Sequence, residues 1–493
     1  MEIGFDKNLY MQRQKKFIEE RIETFDGKLY LEFGGKLFDD YHAARVLPGF
    51  DKAGKIQLLY EMRDKAEIIF CISAMDIEKT RTRTGLDIPY DMDTLRLIDS
   101  ISAMGISVNS VVITQFTGQQ AAANFAAKLA IRGVRHYIHH PIAGYPQDIS
   151  HIVSDEGYGS NPYVETTKPL VVVTAPGAGS GKLATCLSQI YHEYRRGIKA
   201  GYAKFETFPI WNLPLKHPVN LAYEAATADL MDTNMIDPFH LEAYGVSTVN
   251  YNRDIEAFPI VKTILGRITG DENFYRSPTD MGVNMAGYAI TSDEICQLAA
   301  KQEIIFRYFQ ELCSQKQGRS SEEIVDRLGM IMAQLNLTPE GRPCVLPARE
   351  KSVEKDAPAA AIQLCDGRIV TGRVTALMSA SAACVMNAIK ALADVDDSQL
   401  LISDMALKPM LNLKTDILGS RSEVLKLDDV LFALAISAAS DPMAALAMEK
   451  LKELRGSEMH STQMLHAGDQ DTVRKLGIRL TCDPVYPSKD LFF

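Results

Sequence analysis

Apolar runs alternate with helix-forming segments over the first 217 residues, and this alternation limits the possible folds more than any other feature of the chain. Residues 66–73, 108–114 and 170–174 are nearly continuous apolar runs, as expected of strands that are buried on both faces. Amphipathic segments such as residues 91–104 lie between them. The pattern predicts an α/β fold with a mostly parallel sheet that is covered by helices.

The periodicity changes twice along the chain. From residue 218 to residue 340 the apolar residues recur at helical spacing, which predicts a mainly helical subdomain. A polar, proline-containing stretch then precedes renewed strand signals. With 493 residues, the chain is also too long for one ordinary core. We therefore predict three parts: an N-terminal α/β domain over residues 1–217, the helical subdomain over 218–340, and a C-terminal α/β domain over 341–493.

A glycine-rich segment gives the strongest functional signal. This glycine turn (residues 176–182) follows the apolar run 170–174 and opens a predicted helix over residues 182–195. Backbone amides in such a P-loop-like turn can surround a phosphate, and the helix dipole and a lysine add positive charge. The turn predicts binding of a phosphate-bearing small molecule, and Lys182 is also a candidate catalytic residue. The predicted binding residues of the turn are Gly177, Ala178, Gly179, Ser180, Gly181 and Lys182.

Two residues distinguish the glycine turn from a standard P-loop. Pro176 stands where the usual first glycine would donate an amide, and Leu183 stands where Ser or Thr usually ligates magnesium. Thr185, about one helical turn further on, is a candidate replacement for that hydroxyl. ATP or another nucleotide with magnesium is therefore one predicted ligand, while a tight structural turn is the alternative interpretation.

A second polar cluster follows the predicted strand that ends near Phe33. A strand that ends in two glycines lets a ligand approach the backbone, so that Gly34 and Gly35 are predicted binding residues. Asp39, Asp40 and His42 are candidate catalytic residues, because carboxylates beside a histidine can perform acid–base chemistry. The alternative is a solvated, charged loop.

Polar residues also stand at the ends of the other predicted strands. In a parallel sheet the carboxyl ends of the strands line one crevice, so that these residues are expected on the same side. They are Gly34, Ser73, Gln115, His139 and Thr174. Glu206, in a strand predicted over residues 204–210, is a further candidate for the magnesium role.

The charge balance and the termini exclude several classes of protein. The formal net charge is −10, and we find no long basic run, so no nucleic-acid binding is predicted. The N-terminus lacks a basic region followed by an apolar stretch, and the longest uncharged stretch (residues 374–389) is too short to span a bilayer. The eight cysteines form no CxxC pair, as is typical of free thiols in a reducing compartment. We therefore predict a cytoplasmic protein without membrane contact.

Several segments resemble a bacterial family of unknown function. They are residues 31–37, residues 39–49, the segment from Thr174 through the glycine turn, the run 236–245 around Asp237-Pro238, and residues 476–482. The chain is similar over essentially its whole length to this family, DUF1846 (UPF0371). The resemblance implies an α/β N-terminal part, a helical subdomain and a separate α/β C-terminal domain, and it implies no activity.

Three functions remain open from the sequence. The leading hypothesis is a nucleotide-dependent transferase or ligase, because its catalysis depends mainly on positioning phosphate charge. The alternative is an enzyme that transforms a phosphorylated metabolite by acid–base chemistry without a nucleotide. The third is a non-catalytic binding or regulatory protein, in which alanine-rich helices near residues 379–393 and 431–449 join copies into a homo-oligomer.

Overall fold

The structure, a computed structural model, describes residues 2–34, 37–83, 88–420 and 422–487. Within these residues the chain forms two compact units, Glu2–Ala300 and a second that begins at Lys301. Each unit has its own sheet and helices, which confirms the predicted α/β class. The predicted subdivision at residues 217 and 340 stays a prediction.

The first unit is built on a seven-stranded sheet in which all neighbouring strands are parallel. Its strands are β1 (Leu29–Phe33), β2 (Ala66–Ser73), β3 (Ser107–Thr114), β4 (His136–Ile138), β5 (Leu170–Thr174), β6 (Gly201–Phe205) and β7 (Gly282–Val283). Their order in space is β7-β6-β1-β5-β2-β3-β4. Every residue of β2 and β5 is buried, which explains why their sequences are so apolar.

The strand order places β5 between β1 and β2, although β5 comes later in the chain. The connection after β1 leads to β2 across the position of β5, and the connection after β5 leads to β6 across β1. The neighbouring strands β1 and β5 are therefore followed by connections that run toward opposite edges of the sheet. In open parallel sheets such a point opens a crevice at the carboxyl ends of the strands, where ligands bind.

Helices and two short hairpins complete the first unit. The hairpins pair Thr82–Arg83 with Ile88–Pro89 and Asn234–Ile236 with Val249–Tyr251. The helices are α1 (Lys7–Thr24), α2 (Tyr41–Val46), α3 (Gly54–Glu61), α4 (Ala74–Glu78), α5 (Tyr90–Ala103), α6 (Gln120–Ile131), α7 (Ile149–Ile152), α8 (Lys182–Arg195), α9 (Pro218–Ala226), α10 (Pro238–Tyr244), α11 (Asn252–Thr269) and α12 (Pro278–Met281). The next helix, α13 (Asp293–Lys316), contains the boundary between the two units.

The second unit contains a four-stranded mixed sheet. Its strands are β8 (Ala359–Gln363), β9 (Ile369–Arg373), β10 (Glu458–Ser461) and β11 (Arg479–Cys482), in the spatial order β9-β8-β10-β11. Only the pair β10 and β11 is parallel. The helices are α14 (Glu322–Gln334), α15 (Val345–Val353), α16 (Ala380–Leu392), α17 (Asp404–Asn412), α18 (Leu427–Ala438), α19 (Pro442–Glu449) and α20 (Ala467–Lys475). None of the helices in the described ranges is both long and apolar enough to cross a membrane.

The hairpin of β8 and β9 forms around Asp366-Gly367, a dipeptide that is typical of two-residue type I′ turns, but the turn is of another type. A two-residue type I′ turn needs positive φ at both central residues, whereas here Gly367 has a φ of +91° and Asp366 has no positive φ. The Gly367 amide donates to the Leu364 carbonyl, and the Leu364 amide donates to the Arg368 carbonyl. The loop therefore has three residues and ends at a glycine with left-handed backbone.

The close packing of α16 against β9 gives a first prediction. A Cβ added at Gly372 would lie 2.2 Å from the backbone nitrogen of Cys384, so that Gly372→Ala must push α16 away from the sheet. Such overpacking costs about 1–3 kcal/mol, and we expect faster hydrogen exchange in β9 and a lower melting temperature.

Gly468→Ala in α20 is the matched control, because nothing lies within 4 Å of a Cβ at that position. This variant should leave the melting temperature unchanged or raise it slightly, since alanine restricts the unfolded chain. An unchanged exchange rate in β9 of Gly372→Ala would contradict the packing described here.

Candidate functional site

The parallel sheet brings the predicted strand-end residues to one edge. Ser73 and Thr174 close β2 and β5, and Gly34, Gln115 and His139 each follow a strand directly. At this edge the Ser73 hydroxyl donates to the Gln115 side-chain oxygen at 3.1 Å. The crevice therefore starts with a row of polar groups that are far apart in sequence.

His139 is buried and has a structural partner. Its Nε2 lies 3.0 Å from the Pro162 carbonyl oxygen, and burial lowers the pKa of the ring to about 4. A histidine with such a pKa stays neutral at physiological pH. The neighbouring His140 places its Nδ1 2.9 Å from the Phe116 carbonyl oxygen.

The glycine turn joins β5 to α8, a helix of 14 residues, with Gly181 as its N-cap. Gly179 and Gly181 have φ of +74° and +81°, a region that residues with a Cβ rarely adopt. Gly177 is required for another reason, because a Cβ there would lie 2.2 Å from the hydroxyl of Tyr90. The three glycines thus permit a turn that other residues would distort.

Two hydrogen bonds fix the shape of the glycine turn. The Ser180 hydroxyl donates to the Gly177 carbonyl, and the Thr114 hydroxyl donates to the Ser180 carbonyl at 2.8 Å. Among the described residues, no acceptor is placed to bond the backbone amides of Gly179, Gly181 and Lys182. These donors lie at the positive end of α8, and Ala178 and Gly179 are exposed.

Lys182 points into the crevice toward a carboxylate on β1. Its Nζ lies 3.9 Å from Oε1 of Glu32, and both side chains are about seven-eighths buried. The hydroxyl of Tyr202, on β6, donates to Oε2 of Glu32 at 2.8 Å. Burial and the Glu32 charge raise the pKa of Tyr202, so that its hydroxyl keeps its proton. Glu32 therefore contacts both Lys182 of the glycine turn and Tyr202 of β6, the strand beside β1 in the sheet.

Thr185 lies below the glycine turn rather than at its surface. Its side chain is buried, its hydroxyl donates to the Gly181 carbonyl at 3.0 Å, and it accepts the Cys71 thiol at 3.4 Å. These contacts hold α8 against the sheet. The hydroxyl is thus engaged inside the protein and is not directed toward a ligand above the turn.

Asp40 has two structural partners. Its side chain caps α2 by accepting the Ala43 amide, and it forms an ion pair of 2.8 Å with Lys55, which also donates to the Gly34 carbonyl. Burial opposes ionisation of Asp40, but Lys55 outweighs it and holds the pKa of the carboxyl below its usual value. Asp40 is therefore a stable carboxylate that holds α2 at the sheet edge.

The other residues of this cluster are less closely joined to the glycine turn. The ring of His42 packs edge-on against Phe208 and Tyr223, with ring centres 5.2 and 5.3 Å apart. Asp39 is half-buried just before α2, and Gly35 lies outside the described residues. The acid–base roles predicted for Asp39, Asp40 and His42 stay predictions.

A buried charge cluster beside the turn contains Glu206, and the pairing of Glu206 with a lysine and a second carboxylate was not predicted from the sequence. Nζ of Lys204, on β6, lies 2.8 Å from Oε1 of Glu206 and 2.5 Å from Oδ2 of Asp254, on α11. The Glu206 amide donates to the Val283 carbonyl, which fixes Glu206 at the carboxyl edge. We call Lys204, Glu206 and Asp254 the edge triad.

The two carboxyls of the edge triad differ in their affinity for a proton. Burial raises the pKa of Glu206 to about 7, with Asp254 adding to the effect and Lys204 opposing it. Burial also opposes ionisation of Asp254, but Lys204 outweighs it and lowers the pKa of that carboxyl. Near neutral pH, Asp254 is therefore ionised, while Glu206 is present in both its protonated and its ionised form.

The edge triad leaves no evident place for magnesium. The ammonium group of Lys204 stands between the two carboxylates, where a cation would be expected to bind. Across the ranges that the structure describes, no group of three or more His, Cys, Asp or Glu side chains is placed to hold a metal ion. Lys204 thus pairs with Glu206, and the magnesium role suggested for Glu206 stays a prediction.

A small cavity connects the edge triad with the start of α8. Its volume is about 40 Å³, and Leu183, the residue after Lys182, forms part of its wall. Tyr202 and the three residues of the edge triad form another part. Tyr202 and Lys204 lie on one face of β6, and Glu206, which follows β6 directly, continues the alternation. This alternation is the sequence signal that could have revealed the three residues as a group.

Comparisons with known proteins identify the family. The family described as "Domain of unknown function DUF1846, N-terminal" matches residues 3–336, and its C-terminal counterpart matches residues 340–492. The chain is 54% identical to a UPF0371 protein of Clostridioides difficile (strain 630). It is 53% identical to UPF0371 proteins of Clostridium tetani (strain Massachusetts / E88) and Clostridium botulinum (strain Alaska E43 / Type E3). Each match covers 100% of both chains. The chain therefore belongs to the DUF1846 family, which confirms the resemblance seen in its sequence.

Proposed function

We propose that this protein binds a phosphate-bearing small molecule at the glycine turn. The observation that carries the proposal is the group of backbone amides at Gly179, Gly181 and Lys182, which have no acceptor among the described residues. They stand at the start of a 14-residue helix, whose dipole favours an anion. A phosphate oxygen would satisfy donors that are otherwise left to solvent.

Lys182 would supply the charge that backbone amides lack. Its Nζ lies 3.9 Å from Glu32, longer than a good hydrogen bond, and no described residue accepts a hydrogen bond from it, so that its donors can bind a ligand. Glu32 also draws the lysine into the crevice and reduces its freedom before the ligand arrives. Such preorganisation lowers the entropic cost of binding.

The contacts favour acid–base chemistry on a phosphorylated metabolite over a nucleotide-dependent transfer. Phosphoryl transfer usually depends on magnesium, yet Thr185 is engaged below the turn and Lys204 stands between the two edge-triad carboxylates. Glu206 lies in the same crevice, and its raised pKa suits proton transfer near neutral pH. The edge triad replaces Asp39, Asp40 and His42 as the preferred location of such chemistry. ATP with magnesium remains the competing ligand in the test below.

Binding of small anions to Lys182→Gln tests the proposal. Calorimetry with inorganic pyrophosphate, a sugar phosphate, ATP and GTP, each with and without magnesium, should show binding to the wild-type protein. A hydrogen bond to a charged group contributes about 1.5–3 kcal/mol, so that Lys182→Gln should weaken binding about 10- to 100-fold. Stronger binding of the nucleotides with magnesium would favour the nucleotide-dependent alternative.

Lys128→Gln on α6 is the control, because Lys128 is exposed and lies on another helix. It should bind the same anions as the wild-type protein does. The proposal fails if no phosphate compound binds, or if Lys182→Gln and Lys128→Gln bind equally well.

A pair of glycine variants separates the backbone of the turn from general stability. Gly181 and Gly197 lie at opposite ends of α8, with φ of +81° and +78°. Alanine in this region costs about 1–3 kcal/mol at either position. Thermal melting should therefore show destabilisation of both variants, larger in Gly181→Ala because its Cβ would also lie 3.0 Å from the side chain of Thr114. Calorimetry should show lost pyrophosphate binding in Gly181→Ala alone. Equal binding by both variants would argue against a backbone site.

A further inference from the structure

Glu206 combines a position at the crevice with an environment unfavourable to its charge. It follows β6 directly, and its side chain is 8% exposed. A Cβ added at Gly282 would lie 3.5 Å from its Oε2, so that the carboxyl packs closely against β7. The carboxyl therefore has little solvent to stabilise a negative charge.

The charged and titratable groups around Glu206 come from each element that packs against it. On β6, Lys204 is in direct contact, and Tyr202 shares the cavity wall. Asp254 on α11 contacts the same ammonium group. Tyr251, at the end of the short hairpin, lies close enough for the Glu206 charge to raise its pKa further beyond the effect of burial. Arg21 on α1 donates to the carbonyl of Gly282.

The path from Glu206 to the glycine turn is short. Glu32 and Lys204 are direct neighbours across β1 and β6, and their side chains share one face of the sheet. Lys182 approaches Glu32 from the glycine turn, and Leu183 lines the cavity that Glu206 also lines. An anion bound at the glycine turn would therefore be separated from the Glu206 carboxyl by one layer of side chains and little water. Its negative charge would act on the proton affinity of that carboxyl.

We propose that Glu206 is the proton-exchanging residue of the ligand site, and that it takes up a proton from solvent when a phosphorylated metabolite binds at the glycine turn. This inference rests on the proposed function. Only a proton moves: it leaves water or buffer and bonds to the Glu206 carboxylate, while Lys204 and Asp254 keep their charges. A metabolite whose phosphate occupies the turn would extend toward the edge triad, where the protonated carboxyl serves as a general acid.

The direction of the exchange follows from electrostatics. An anion beside a carboxylate disfavours its charged form, so that binding raises the proton affinity of Glu206. The repulsion is strong because burial leaves little water between the two charges to weaken it. A carboxyl that titrates near neutral pH therefore changes from mostly ionised to mostly protonated when the anion binds.

The experiment uses inorganic sulfate, which mimics phosphate but does not titrate near neutral pH. Calorimetry in two buffers of different ionisation enthalpy, at about pH 7.5, counts the protons taken up on binding. Wild-type protein should take up about half a proton, and its affinity for sulfate should fall several-fold as the pH rises through about 7. Glu206→Gln should take up none, and its affinity should be independent of pH over this range.

A control variant, a rescue variant and an infrared spectrum test whether Glu206 is the group that takes up the proton. Glu256→Gln, an exposed carboxyl on the same helix as Asp254, should behave as wild type, and Glu206→Asp should restore proton uptake. Infrared spectra of the wild-type protein should contain a protonated carboxyl band that grows with sulfate. If Glu206→Gln does not fold, absence of that band from wild-type spectra overturns the inference.

The outcomes also separate this inference from the proposed function. If sulfate binds and Glu206→Gln takes up as many protons as wild type, the role of Glu206 is wrong while the anion site stands. If neither sulfate nor pyrophosphate binds to wild-type protein, the anion site is wrong and the role of Glu206 falls with it.

Discussion

The carboxylate of Glu32 contacts side chains from both the glycine turn and the neighbouring strand, and the polar contacts of the crevice depend on it. It lies on β1, meets Lys182 from the start of α8, accepts a hydrogen bond from Tyr202 on β6, and faces Lys204 across the sheet. A carboxylate in this position would be costly without partners, because burial removes it from water. Its contacts instead tie the glycine turn and the edge triad into one polar layer beneath the opening of the sheet.

The sequence predicted those parts of the fold that depend on local pattern. Strand β2, strand β5 and helix α8 form where apolar runs and helical spacing indicate them, because burial of these residues decides their conformation. The spatial position of β5 was not predictable in this way. Strand order depends on pairing between segments that are far apart in sequence, and a local sequence pattern does not predict such pairing. The two-residue strand β7 was missed because it is too short to show alternation.

The candidate site shows the same division. The glycine turn was found because its conformation needs glycines close together in sequence. Lys204 and Asp254 were missed as a pair, since they meet only when β6 packs against α11. Asp40 was predicted as a candidate for acid–base chemistry from its neighbours in sequence, and this role stays a prediction, whereas its contacts as helix cap and partner of Lys55 were not predicted. A charged loop residue and a capping residue look alike until the helix that follows is placed.

The central place of β5 also has a consequence for synthesis of the chain. Residues 29–33 and 66–73 leave the ribosome well before residues 170–174, yet β1 and β2 are each paired with β5 and not with one another. The middle of the sheet therefore cannot form before β5 has been synthesised. Folding of the first unit thus depends on contacts between residues that are far apart in sequence. The glycine turn is attached to that same late strand. The crevice beside the glycine turn thus cannot form until this late strand has been synthesised and has paired with β1 and β2.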